Sequence, residues 1–72
     1  MSRLPDVSGW ECVDALAKVG FFVARQGKHI TMRRDDPFAR VTIPNHRKLK
    51  KGTLRSIIRQ AGLTVDEFIA LL

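Results

Sequence analysis

The chain has 72 residues, 44% of them hydrophobic, and its 13 Lys and Arg against 7 Asp and Glu give a formal net charge of +6. That balance excludes a disordered chain, and no apolar run approaches the roughly 20 residues of a membrane span, so one soluble domain over residues 1–72 is expected, too small to enclose a drug-sized cavity of roughly 300–1,000 Å³. The lone cysteine, Cys12, excludes an intrachain disulfide and fits a reducing cytoplasm, while the acid-bearing start, with Asp6 and Glu11, does not read as a signal peptide.

A short lead-in broken by Pro5 precedes Ser8, which with Glu11 three residues on has the spacing of a capping box. Trp10, Val13, Leu16 and Ala17 then recur at helical spacing up to Gly20, predicting a first helix from about Ser8 to Val19. Phe21 to Arg25 reads as a strand, Gln26-Gly27-Lys28 as a turn, and His29 to Arg34 as a second strand. Asp35-Asp36-Pro37 is turn chemistry, and Ala39 to Ile43 is a third strand ended by Pro44. A basic loop, Pro44 to Lys51, leads to a helix starting near Gly52-Thr53, with Leu54, Ile57, Ile58 and Ala61 as its apolar stripe and Gly62 as its stop. Thr64 and Glu67 make a second capping box, opening a short last helix through Phe68 and Ile69.

Tight turns make the three strands an antiparallel meander. The order helix, three strands, helix, short helix predicts an α+β fold with the helices packed on one face of the sheet, the layout of a double-stranded-RNA-binding domain. Strand alternation then sorts the side chains. Ile30, Met32, Val41 and Ile43 must face the helices, which leaves His29, Thr31, Arg33, Arg40 and Thr42 on the open face.

An imidazole among guanidinium groups on an accessible sheet suits phosphodiester chemistry. It can take a proton from a 2′-OH or give one to a leaving oxygen, and arginines can hold the phosphate and stabilise developing charge. A surface histidine without a duty is the plainer alternative. His46, beside Arg47 and Lys48, is a candidate phosphate contact or second proton-transfer group if its loop folds back, and a solvated loop residue otherwise. Arg47, Lys48, Lys50 and Lys51 continue into Arg55 and Arg59, and Lys51, Arg55 and Arg59 share a helix side that can track an RNA backbone or simply solubilise the helix. The free N–H groups at that helix start offer a further phosphate position.

Other chemistries fit poorly. Two histidines and one cysteine at distant positions make no zinc site, Asp35-Asp36 and Asp66-Glu67 are not a paired-carboxylate metal site, and Gly27 stands alone without a phosphate-cradling glycine loop. Neither metal nor cofactor is expected. Cys12 reads as packing, and Trp10, Phe21, Phe22 and Phe68 read as core, with Phe38 in its turn as the candidate exception.

Several segments resemble the HicA toxin family: Leu16-Ala17-Lys18-Val19-Gly20-Phe21, Arg25-Gln26-Gly27-Lys28-His29, Val41-Thr42-Ile43-Pro44-Asn45-His46, the run from Lys51 to Thr64, and the closing Glu67-Phe68. Each piece alone is weak, but in this order and spacing they are specific. The resemblance implies a ribosome-independent mRNA interferase with the double-stranded-RNA-binding fold, neutralised by a HicB-type antitoxin that covers the histidine face. The family's catalytic histidine follows a glycine and one further residue, which is His29 here. The commonest family form, Gly-Ser-His-His, appears as Gly27-Lys28-His29-Ile30, so the serine and second histidine are absent and Lys28 stands as a phosphate contact.

Three functions are therefore compatible with the sequence. The leading one is an RNase with His29 as acid–base and Lys28, Arg33, Arg40, His46, Arg47, Lys48, Lys51 and Arg55 on RNA, needing no metal because an internal 2′-OH is the nucleophile. The others are a non-catalytic RNA-binding module of the same fold, and a protein-interaction domain whose basic face docks an acidic partner.

Overall fold

The structure is a computed structural model and describes residues 3–72. Its elements are α1 (Gly9–Ala17), β1 (Phe22–Arg25), β2 (His29–Asp35), β3 (Phe38–Pro44), α2 (Lys51–Gln60) and α3 (Val65–Ala70). The strands form one antiparallel sheet in the order β1-β2-β3. This is the expected α+β layout, α-β-β-β-α-α, like that of a double-stranded-RNA-binding domain.

Both expected capping boxes form. Ser8 Oγ accepts from Glu11 N at 3.0 Å while Glu11 Oε1 accepts from Ser8 N at 2.9 Å, and Thr64 and Glu67 repeat the exchange at 3.1 and 2.8 Å. α1 stops short of Val19 because the N–H groups of Lys18, Val19 and Gly20 turn back to carbonyls three residues earlier. Gly20 then takes a φ of 94°, a left-handed conformation that glycine tolerates, and directs the chain into β1. β2 and β3 run further than expected because their pairing continues to Asp35 opposite Phe38, which leaves only Asp36 and Pro37 to turn.

The core lies between the sheet and the helices. Ile30 and Met32 of β2 and Val41 and Ile43 of β3 are fully buried against Val13 and Leu16 of α1, Leu54, Ile57 and Ile58 of α2, and Phe68 of α3. Burial of such side chains stabilises a fold by about 1.5–3 kcal/mol each. Cys12 has the packing role expected of it. It is fully buried, and burial pushes its thiol up to about 12.

Two aromatic expectations are corrected. Trp10 is 40% exposed and Phe22 is 42% exposed, whereas Phe21 and Phe68 are inside. On α1 the buried stripe is Gly9, Cys12, Val13, Ala15 and Leu16, so Trp10 falls on the outer side with Asp14 and Ala17. Phe22 pairs with Arg33 and so belongs to the open face of the sheet. Among the described residues, no helix is long and apolar enough to cross a membrane.

Candidate functional site

The register of β2 against β3 builds the open face row by row. His29 lies opposite Pro44, Thr31 opposite Thr42, Arg33 opposite Arg40, and Asp35 opposite Phe38. The residues between them, Ile30 and Met32, are buried, so His29 is turned to solvent at one end of the sheet.

β1 adds a residue that alternation misplaces. Phe22 pairs with Arg33 and Val23 with Met32, but the next pair is Arg25 with Thr31, which leaves Ala24 as an extra residue. In a regular strand Ala24 would oppose Thr31, and Arg25 would oppose Ile30 on the core face. The bulge shifts the phase and re-aims the arginine, as bulges beside functional sites commonly do. Arg25 therefore lines an open depression of about 360 Å³ together with Gln26, Gly27, Lys28, His29 and Thr31. Sequence reasoning missed Arg25. The one signal available was its charge, which does not belong on a core face at the end of an apolar strand.

The turn that carries His29 is braced from behind. Asn45 N donates to Lys28 O at 3.2 Å, and Asn45 Nδ2 makes a longer 3.5 Å contact with Gly27 O. The next residue, His46, accepts from Gly9 N at 2.9 Å through its carbonyl. A Cβ at Gly9 would collide with Pro44 O, so only glycine lets α1 start this close to the loop. The chain thus ties α1, the Pro44-Asn45-His46 loop and the Gly27-Lys28 turn into one support for the imidazole. His46 takes part through its backbone. Its exposed side chain is not among those lining the depression.

Further along the open face, Arg33 Nε is 3.0 Å from Asp35 Oδ1, and its guanidinium stands 5.1 Å from the centre of the Phe22 ring. Arg40 is opposite it on β3 and exposed. Arg34 has gone to the other face, where it covers Phe21 at 4.7 Å and donates to Pro37 O at 3.0 Å.

The cations around α2 are arranged differently. Lys51 Nζ donates to Leu4 O at 2.9 Å and to Asp6 Oδ1 at 2.8 Å, while Lys48 Nζ lies 3.5 Å from Asp6 Oδ2. The Lys51 hydrogen bond, with the nearby charges of Lys48 and Lys51, holds the Asp6 carboxyl below its ordinary value of 3.8. Arg47 is exposed, and Arg55 lines a separate depression with Ile58, Arg59, Leu63, Thr64 and Val65. Lys50 caps α2 without any side-chain hydrogen bond, and no acid stands in its first turn. The structure therefore brings Lys28 and His29 together with Arg25, sets Arg33 and Arg40 beyond them on the same face, and leaves Lys48, Lys51 and Arg55 outside that depression. Among the described residues, no group of three or more His, Cys, Asp or Glu side chains is gathered as a metal site.

Residues 9–63 match the family model described as HicA toxin of bacterial toxin-antitoxin. That span takes in α1, the whole sheet and α2, and so includes every residue lining the His29 depression. No curated protein matches the chain.

Proposed function

The chain belongs to the HicA toxin family, and from that premise we propose that it is an endoribonuclease that cleaves mRNA without the ribosome, with His29 as its general acid–base group. The observation that carries this reading is the exposed imidazole in an open depression that it shares with Arg25 and Lys28.

In the proposed reaction, neutral His29 takes the proton of a ribose 2′-OH. The 2′-oxygen bonds to the adjacent phosphorus, the bond from phosphorus to the 5′-oxygen breaks, and the leaving oxygen takes a proton from solvent. The products are a 2′,3′-cyclic phosphate and a 5′-hydroxyl end, and the internal nucleophile makes a metal unnecessary. Arg25 and Lys28 stabilise the charge that gathers on the phosphoryl oxygens, and Arg33 and Arg40 hold the flanking backbone. His46, Arg47 and Arg55 supply outer phosphate contacts. Lys48 and Lys51 reach RNA only by loosening from Asp6. The buried position of Ile30 fits a single-histidine site, because a residue there packs against Ile43 in the core, away from the depression. As the toxin of a toxin–antitoxin pair it acts in the cytoplasm, and a HicB-type antitoxin restrains it by covering the His29 face.

The test is cleavage of single-stranded RNA by purified protein in EDTA. His29→Ala should lower kcat by about 10²–10⁴-fold, the usual share of one acid–base group, with an unchanged melting temperature. Retained cleavage in that variant overturns the assignment. RNA that is bound but left intact by the unsubstituted chain would identify a non-catalytic RNA-binding module instead.

A further inference from the structure

The open face has a second end, and it is aromatic. Phe38 is 68% exposed and Phe22 42% exposed; Phe22 ends the Arg33–Arg40 row on β1, and Phe38 stands in the next row, opposite Asp35. Leaving such a ring in water forgoes the gain that burial would bring, and neither ring is needed by the core, which is closed by Phe21 and Phe68 on the other side. Phe38, Arg40 and Thr42 alternate with buried Val41 and Ile43, so Phe38 shares the face that carries His29.

Charge complementarity selects the occupant. Arg33 stands over Phe22, its guanidinium 5.1 Å from the ring centre, so a base meets that ring from its other side or in place of the guanidinium; Arg40 lies beside it, and past the Thr31–Thr42 row the face reaches Arg25 and Lys28. Asp35, the acid on this face, is engaged by Arg33 at 3.0 Å. A surface that alternates phenyl rings with guanidinium groups matches a polyanion with flat apolar faces of its own. Base-paired RNA keeps those faces stacked inside the helix, so only unpaired nucleotides can offer them.

We infer that Phe22 and Phe38 form a base-stacking subsite for unpaired nucleotides of single-stranded RNA, lying to one side of the His29 depression. This rests on the reading that the open face takes RNA, and it goes further by assigning these two residues the choice of single-stranded over paired substrate. Arg33, in the row with Phe22, is four positions beyond His29 and Asp35, opposite Phe38, is six positions beyond it, about 13 and 20 Å along the strand. Both rings lie in the same direction from His29, so the stacked bases all belong to one side of the scissile phosphate.

The experiment measures binding of the intact chain to a short 2′-O-methyl oligonucleotide with the sequence at which the unmodified RNA is cut; it lacks the nucleophile and so separates binding from cleavage. Replacing single bases by abasic residues should weaken binding about 5- to 150-fold, the equivalent of one lost stack, at positions on one side of the cleavage point only. Phe22→Ala with Phe38→Ala, which removes both stacks, should weaken binding of the full oligonucleotide by more than any single abasic replacement and erase the abasic penalty, and Phe38→Trp should retain both. The abasic series uses the unsubstituted protein, so it does not depend on the variant folding. Abasic penalties that are absent, or equal on both sides, overturn the subsite. So does an alanine variant that binds RNA normally and loses only a protein partner. A chain that cleaves ordinary RNA without any abasic penalty loses the subsite and keeps the RNase reading, whereas abasic penalties that gather at one end of an oligonucleotide which the chain binds and does not cleave do the reverse.

Discussion

Arg25 and Lys28 at the His29 depression, and Lys48 and Lys51 beside the start of α2, carry the same formal charges in different surroundings. The first pair lines an open depression beside an imidazole. The second pair converges on one carboxylate, Asp6, and Lys51 also holds the Leu4 carbonyl. There the cations fasten the lead-in segment to the body of the protein, which Leu49 N reinforces by donating to Val7 O at 2.8 Å. A net charge of +6 therefore overstates the cationic surface available to a polyanion, because Lys48, Lys51 and Arg33 are each engaged by an acid.

The strongest way to break this division is through kcat. Arg25→Gln should lower it by about 10²–10³-fold in single-turnover cleavage, the usual cost of removing one group that stabilises transition-state charge, and Arg25→Lys should recover part of the loss. Arg55→Gln, on the α2 side, should act on KM and leave kcat in place. Equal losses of kcat in the two variants would mean that the α2 cations belong to the reaction centre.

A finer test uses salt. Lys28→Ala should reduce the slope of log affinity for single-stranded RNA against log salt by about 0.7, the contribution of one phosphate contact. Lys51→Ala should leave the slope near its original value and lower the melting temperature, because what it removes is an internal tether. A Lys51→Ala slope as shallow as that of Lys28→Ala would show both lysines on RNA.

The smallest expected effect is that of Asp6→Asn. It releases Lys48 and Lys51, so the salt slope should steepen while the melting temperature falls slightly. Because the folded chain holds the Asp6 carboxyl below its ordinary value of 3.8, its stabilising share is fully present above that pH and is lost as pH falls through the depressed value. The difference in melting temperature between the unsubstituted chain and Asp6→Asn should therefore be visible near neutral pH and close in acid. A gap that persists in strong acid would assign the effect to something other than the ion pair.

The sequence by itself determined the elements, their order and the inward set of the sheet. These depend on short-range rules: a serine or threonine three residues before a glutamate, a glycine where a helix must stop, and alternation along a strand. His29 on the open face follows from Ile30 and Met32 needing the core, with no long-range information. What only the tertiary structure decided lies where a rule of period two is interrupted or where distant segments meet. The extra residue at Ala24 reverses the phase of β1 and aims Arg25 at the depression. Asn45 ties the turn before His29 to the loop after β3. Asp6 finds two lysines more than forty positions away. Trp10 stays outside because α1 turns Gly9, Cys12, Val13, Ala15 and Leu16 to the core, and Phe22 because its pairing with Arg33 sets it on the open face. A bulge and a long-range ion pair both depend on packing between segments, and local sequence pattern carries no record of which segments will touch.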